Sequence, residues 1–492
     1  MKNQFKFRVL SVISIVFLCI GVTIKEFQND TFYVIKLGEY INHHGVDLWD
    51  HYSWVAKLSY TYPHWLYDVF IYYIYHYFGY MGVYVSNIVL FIILILVVYY
   101  IHLKLHKNDF MASFVSILCV VCLFAFATAR AQLPSAILFL LEVYFIEQLI
   151  QSGKNRYIVY LMIDSLLVAN IHGTSWLFYF ILFLPFFAEE VVCYISHLTF
   201  FRKKKLNDKI LVCKIPHIKK LLVCFILCFM MGLFTPSRIC YSYVFRVMMG
   251  DSQNYIMEHA PLIVIYNPCF ISGILVLLIV LIFTNTKIYL REIFMIGGLI
   301  LMSLMSCRHL LFFYLIASLY ISVICVRALK IKKDRTLEIL GNIIVRSKVV
   351  YFLILIIIGG FSCSKFLENQ KKDYVPRKEY PVDAVLFIKE NLDVDNLKLY
   401  NDYNFGSYLL FEDIPVFVDS RCDLYLKEFN GLSYSIFDDA IGMARKYEKK
   451  FRFYGVEYAL LSKEDILYQL LDKDSNYQNI YHDKYFGIFK KL

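Results

Sequence analysis

Residues 28–68 read QNDTFYVIKLGEYINHHGVDLWDHYSWVAKLSYTYPHWLYD, a polar, acid- and aromatic-rich stretch set between two apolar ones. It gathers Asp30, Glu39, Asp47, Asp50 and Asp68 with His43, His44, His51 and His64. The stretch before it, 7–24, and the stretch from 82 to 102 are hydrocarbon-compatible and each long enough to cross a bilayer core. A cluster of ionisable groups between two such spans reads as a loop at a membrane face, and the rest of the chain repeats the apolar theme.

Composition agrees with this reading. The chain has 492 residues, 59% hydrophobic and only 18% charged, with a mean hydropathy of +0.56. A soluble domain carries about a quarter charged residues. The hydropathy pattern predicts about eleven spans, at 7–24, 82–102, 111–128, 133–150, 157–171, 174–195, 221–235, 269–285, 292–306, 310–326 and 349–364. Lys2, Lys6 and Arg8 lie at the start of the first, but no small-residue cleavage site follows it, so it reads as an uncleaved helix.

The distribution of Lys and Arg supplies a topology. Bases concentrate in alternate loops: Lys104 and Lys107; Lys154 and Arg156; Arg202, Lys203, Lys204, Lys205, Lys209, Lys214, Lys219 and Lys220; Lys287 and Arg291; and the group from Arg327 to Lys348. The intervening loops hold few, and the first is acidic. Cytoplasmic loops accumulate these residues, so the expected arrangement is N-terminus inside, C-terminus outside, in the cell membrane. The net charge of +10 is then a topological signal directed at anionic membrane lipid, and nucleic acid is not an expected partner.

Four regions follow. Residues 1–25 hold the first helix, and 26–81 form the first extracytoplasmic loop, in which the Tyr-rich segment Val69–Tyr80 is expected to lie flat on the outer surface. Residues 82–364 form the transmembrane bundle, and 365–492 a small extracytoplasmic α/β domain. In the last, PVDAVLFIKENL and 438–454 read as helices. NLKLYN, IPVFVDS and VEYALLS read as strands, and the final residues as a closing hairpin. The 13 cysteines fall mostly inside spans and read as small apolar residues; Cys119 and Cys122 have metal-like spacing without a second ligand pair.

The topology brings ionisable residues at separate span ends to one face: Asp30, Arg130, His172, Arg238, Arg308 and His309. Arginines in such places either snorkel to the headgroups and anchor helix ends or hold phosphate through a rigid fork of donors, and a carboxylate beside them can take a proton from an acceptor hydroxyl. Asp30 leads as base because it follows directly on the first helix. Asp47 and Asp50, with His51 adjacent, could hold Mg²⁺ or Mn²⁺ through oxygen ligands or could cap a short helix, and no cofactor is otherwise implied. Glu142, Glu147 and Asp164 sit inside spans, where a buried acid is either paired, protonated or part of a transport path.

The order Asp30, Gly38, Ile41, Asp50, Ser53, Trp65 and Leu66 resembles the GT-C class of integral membrane glycosyltransferases. So do Asn170-Ile171-His172-Gly173, Cys307-Arg308-His309, Asn404 to Tyr408 and Val418 to Arg421 with Tyr425. The WWDYG signature of oligosaccharyltransferases is absent. The resemblance implies transfer of a sugar from a polyprenyl-phosphate donor to a glycan or lipid acceptor at the outer face, with Asp30 as base and Asp50 as the second choice. Arg130, Arg238, Arg308 and His309 would then hold the phosphate. Tyr33, Trp49, Trp54 and Trp65 would stack on sugar or carrier, and Asp47, His51, His172, Asp419 and Arg421 would contribute to substrate and loop. The rival readings are a lipid-linked oligosaccharide flippase, a polysaccharide polymerase, and a non-catalytic envelope assembly protein.

Overall fold

The protein is described by a computed structural model covering residues 2–197, 209–236, 238–242, 257–331 and 335–492. Arg202, Lys203, Lys204 and Lys205 of the predicted inner loop lie outside these residues. The chain is a multi-pass helical membrane protein with a C-terminal α/β domain. Among the described residues seven helical stretches are long and apolar enough to span a bilayer. They cover all but the last two residues of the predicted spans 7–24 and 111–128, and contain 82–102, 133–150, 174–195, 310–326 and 349–364. The predicted span 269–285 falls on the shorter apolar helix Pro268–Phe283, and 157–171, 221–235 and 292–306 fall on helices of 16, 14 and 16 residues.

The chain divides into two units. The first comprises Met1–Ile24 and Val85–Asn369, apart from a short excursion that begins at Tyr241. Its opening helices are α1 (Lys2–Val22), the C-terminal part of α3 (Trp65–His106), α4 (Asp109–Leu123), α5 (Gln132–Ser152) and α6 (Arg156–Ile171). Their ends follow local chemistry. Asn108 caps α4 by accepting from the Met111 amide, and Gly153, at φ 64°, closes α5 with its amide on Leu149 O. Beyond Cys307–His309 the backbone widens into a π-turn over Phe313–Ala317, where Cys119 Sγ donates to the Tyr314 carbonyl at 3.5 Å. A buried thiol in that position is structural.

The second unit contains Lys25–Tyr84 and Gln370–Leu492. Its centre is a four-stranded sheet in the order β3-β4-β6-β5, built from β3 (Leu399–Asn401), β4 (Tyr458–Ser462), β5 (Tyr477–His482) and β6 (Phe486–Lys491). β1 (Ile210–Leu211) and β2 (Ile288–Tyr289) pair separately in the first unit. β3 and β4 run parallel, whereas β6 is antiparallel to both β4 and β5, so the predicted closing hairpin is present. Ala459, Leu460 and Leu461 are buried in succession, as expected of a strand covered on both faces. α2 (Asn29–His44) packs on the helix Tyr403–Phe411 through Phe32, whose ring meets Tyr408 and Phe411 at 5.2 and 5.5 Å.

Two expectations need correcting here. IPVFVDS is not a strand of the sheet. Asn401 supplies its side-chain amide to this segment, accepting from Phe417 N at 2.8 Å and donating to Val418 O at 2.7 Å, while Val416 pairs with Tyr52 and Trp54 of the first loop. The predicted helix over 438–454 breaks into Ile436–Ile441 and Tyr447–Tyr454, because Gly442 costs about 1 kcal/mol in a helix and ends the first piece. Val69–Tyr80 forms the first part of α3 and is separated from the following apolar helix by a break at Gly79, whose φ of 60° and ψ of −157° only glycine adopts without strain.

Candidate functional site

In the first unit, a cationic cluster forms where helix ends meet. Arg130, in the turn before α5, places its fork on Glu258 at 2.5 and 3.3 Å. Arg308, in the short turn Cys307–His309, donates from Nη1 to His259 Nε2 and from Nη2 to His172 Nε2, both at 3.3 Å. His172 caps α6, and its Nδ1 lies 3.0 Å from Ser135 Oγ, which itself donates to Ala131 O. These contacts are consistent with one tautomer only, in which Nδ1–H donates to Ser135 and Nε2 accepts from Arg308.

Burial, reinforced by Arg308, lowers His259 from 6.5 to about 4, so it too is a neutral acceptor near pH 7. Burial alone would raise Glu258, but Arg130 outweighs it and holds the carboxyl below its usual range. Among the described residues Arg308 makes no ion pair with a carboxylate, and its guanidinium lies between two neutral rings. Ser306 Oγ donates to Glu258 O at 3.0 Å, and Cys307 N to Ala260 O, so the two segments are fastened to each other through main chain as well.

The predicted anion-binding residues separate. Arg130, His172 and Arg308 share this cluster. His309 turns away: Nδ1 lies 3.0 Å from Met302 O and its ring packs on Phe178 at 4.8 Å. Arg238 is exposed at φ 50°, and among the described residues no contact brings it to Arg130 or Arg308. Glu258 and His259 escaped sequence reading because MEHAP lies in no span and offers no motif; only the fold carries them to the arginines.

In the second unit, Asp30 stands in the first turn of α2, partly exposed and fixed on a helix rather than on a flexible loop. Asp47 and Asp50 face different partners. Asp47 Oδ2 accepts from Tyr40 at 2.7 Å and lies 2.6 Å from His51 Nε2, forming a surface group with the Tyr40 ring stacked on His51. Asp50 instead meets Arg421 at 2.6 Å and accepts from Ser53 N at 2.8 Å. Arg421 also forks onto Asp419 from Nε and Nη2, at 2.9 and 2.6 Å; Tyr425 donates to Asp419, and the Tyr60 ring lies 5.0 Å from the guanidinium. Asp50, Asp419 and Arg421 have at most 1% of their side chains exposed, so they clasp the loop to the C-terminal segment and present no surface to a substrate.

Among the described residues no three His, Cys, Asp or Glu side chains converge to hold a metal ion. The predicted Asp47–Asp50 ligand pair has its oxygens committed to Tyr40, His51, Arg421 and backbone amides. Of the predicted stacking aromatics, Trp49 is well exposed, with Lys57 4.6 Å from its ring. Trp54 is tied by Nε1 to Leu399 O and packs on Phe417, Tyr33 is buried, and Trp65 opens α3.

Among solved structures, the chain is similar to the archaeal oligosaccharyltransferase AglB from Archaeoglobus fulgidus, in a complex with an inhibitory peptide and a dolichol-phosphate. The TM-score is 0.60 at 12% identity, over 93% of this chain and 69% of that one. It is also similar to ArnT from Cupriavidus metallidurans bound to undecaprenyl phosphate, with a TM-score of 0.56 at 11% identity over 99% of this chain and 97% of that one. No family model matches the sequence, and no curated protein matches it. The common feature is the fold.

Proposed function

We propose that the chain is a GT-C-type membrane glycosyltransferase that moves a sugar from a polyprenyl-phosphate donor to a cell-envelope or lipid-linked glycan acceptor at the extracytoplasmic face. The observation that carries this reading is Arg308, a guanidinium held between two neutral imidazoles beside the Arg130–Glu258 pair. A phosphate suits it: the fork matches phosphate oxygens, and burial strengthens each charge-assisted hydrogen bond. The fold likeness supports the same donor class, since one neighbour holds a dolichol-phosphate and the other undecaprenyl phosphate.

In the proposed reaction Asp30 takes the proton of the acceptor hydroxyl, whose oxygen bonds to the sugar's anomeric carbon. The bond from that carbon to the phosphate oxygen breaks, and the polyprenyl phosphate leaves with the electron pair. Arg308 and Arg130 stabilise the charge gathering on that phosphate. The orientation with the second unit outside the cytoplasm is part of the proposal and rests on the distribution of Lys and Arg.

The test is incorporation of labelled sugar from polyprenyl-phosphate donors by the full chain in lipid. Asp30→Asn is expected to slow transfer by ~10²–10⁴-fold with donor binding retained. Arg308→Ala is expected to raise the donor KM. An Asp30→Asn variant as active as wild type would remove Asp30 from the chemistry.

Transport has one observation behind it. Glu142 is buried in α5 with both carboxyl oxygens unpartnered among the described residues, as is Asp164 Oδ2 in α6. Flux of a lipid-linked saccharide across vesicles without any transfer product would favour that reading.

A further inference from the structure

The second unit contains a cavity of about 520 Å³ that neither the catalytic assignment nor the arginine cluster uses. Its volume falls within the ~300–1,000 Å³ usual for small-ligand sites. One wall is aromatic. Tyr75, Tyr80 and Phe411 pack on one another with ring centroids 5.3 to 6.3 Å apart, and the Gly79 break in α3 is what folds Tyr80 back onto Phe411. The rim is ionic and alternates in sign. Lys36 Nζ bonds Glu39 at 2.7 Å and Asp413 at 2.6 Å, and Lys389 Nζ bonds Glu412 at 2.6 Å.

This lining selects a ligand class. Both lysines are already neutralised, with three carboxylates to two ammoniums, so the rim offers nothing extra to a phosphate or another anion. The ion pairs equally disfavour a purely apolar guest, which would desolvate them without return. Flat aromatic faces beside carboxylate acceptors and ammonium donors suit a neutral molecule with an apolar face and a ring of hydroxyls. Asp413, at a left-handed φ of 60° just beyond the helix Tyr403–Phe411, has its carboxylate anchored on Lys36 yet 73% exposed. Burial alone would lower Lys36, but Asp413 and Glu39 raise it, so the anchor stays charged.

We propose that this cavity is a saccharide-binding subsite for the glycan acceptor, with pyranose faces stacked on the Tyr75–Tyr80–Phe411 wall and hydroxyls bonded to Glu39, Asp413 and Glu412. The identification of the saccharide as acceptor rests on the transferase reading above; the binding of a saccharide does not.

The experiment is saturation-transfer NMR on the full chain in lipid nanodiscs, without donor, with maltotriose, cellotriose and chitotriose as probes. Expected is transfer to at least one trisaccharide, weakened roughly tenfold in affinity by Tyr75→Ala and by the near-isosteric Glu39→Gln. Undecaprenyl phosphate binding should be unchanged in both variants. Absence of transfer to all three probes, or transfer undiminished in both variants, overturns the proposal. Should Tyr75→Ala fail to fold, Glu39→Gln decides alone. Saccharide binding with no turnover of any polyprenyl-phosphate sugar would keep the subsite and sink the transferase reading; turnover without saccharide binding would do the reverse.

Discussion

Arg421 Nη1 lies 2.6 Å from Oδ1 of Asp50, a residue 371 positions earlier, and the two side chains are 0% and 1% exposed. Asp419 completes the arrangement from the other side of the guanidinium. A buried charge network of this kind adds little net stability against its desolvation, but losing one member leaves the others unpaired. Arg421→Met should therefore cost ~3–5 kcal/mol by stranding two buried carboxylates, read as a large fall in thermal unfolding temperature. Adding Asp50→Asn and Asp419→Asn to that variant should recover part of the loss. A single Arg421→Met variant as stable as wild type would show that the network is dispensable.

Gly406 packs so closely on Val418 that a Cβ would overlap the Val418 carbonyl oxygen, and Gly38 stands in the same relation to the Asp68 carbonyl. Both are backbone-to-backbone approaches, where no flexible side chain can yield. Gly406→Ala and Gly38→Ala are each expected to destabilise the second unit by ~1–3 kcal/mol, measured by unfolding of the full chain.

Glu258 occupies Arg130 as its intrinsic counter-anion, so any donor phosphate must compete with it there. Glu258→Gln keeps the shape and removes the charge. Donor affinity should rise roughly tenfold, or ~1.4 kcal/mol, as read by direct binding of undecaprenyl phosphate. Weaker binding in this variant would mean that Glu258 holds Arg130 in place for the phosphate.

His259 is pushed from 6.5 to about 4 by burial and by Arg308. Its folded pKa is depressed, so between these values the unfolded chain binds more protons than the folded one. The stabilising contribution is therefore complete above pH 6.5 and is lost as pH falls toward 4. Thermal unfolding measured across this window should fall with acid in the wild type and less steeply in His259→Gln, which keeps an acceptor for Arg308. Equal slopes would remove His259 from the acid response.

Much was legible without coordinates. Long apolar stretches cross membranes because unsatisfied backbone is intolerable in hydrocarbon, and that rule acts locally on sequence. The helix Val382–Asn391, strands β3 and β4 and the final hairpin were readable for a similar reason, since periodicity and turn residues are also local. Arg130, His172 and Arg308 could be singled out as charges at span ends. What they touch could not: Glu258 and His259 reach them only through folding, and His309, adjacent to Arg308, points elsewhere.

By itself the sequence determined that this is a multi-pass membrane protein with a polar segment, 28–68, set between apolar stretches, and a C-terminal α/β domain. Tertiary structure decided the roles within that segment. Asp50 is taken up by Arg421 and Asp47 by Tyr40 and His51, while Asp30 remains partly exposed on the first turn of its helix. It also turned IPVFVDS from a strand into a segment held by the Asn401 side chain. The physical reason is range: hydropathy and periodicity act between near neighbours in the chain, whereas a buried charge is defined by whichever distant residue satisfies it.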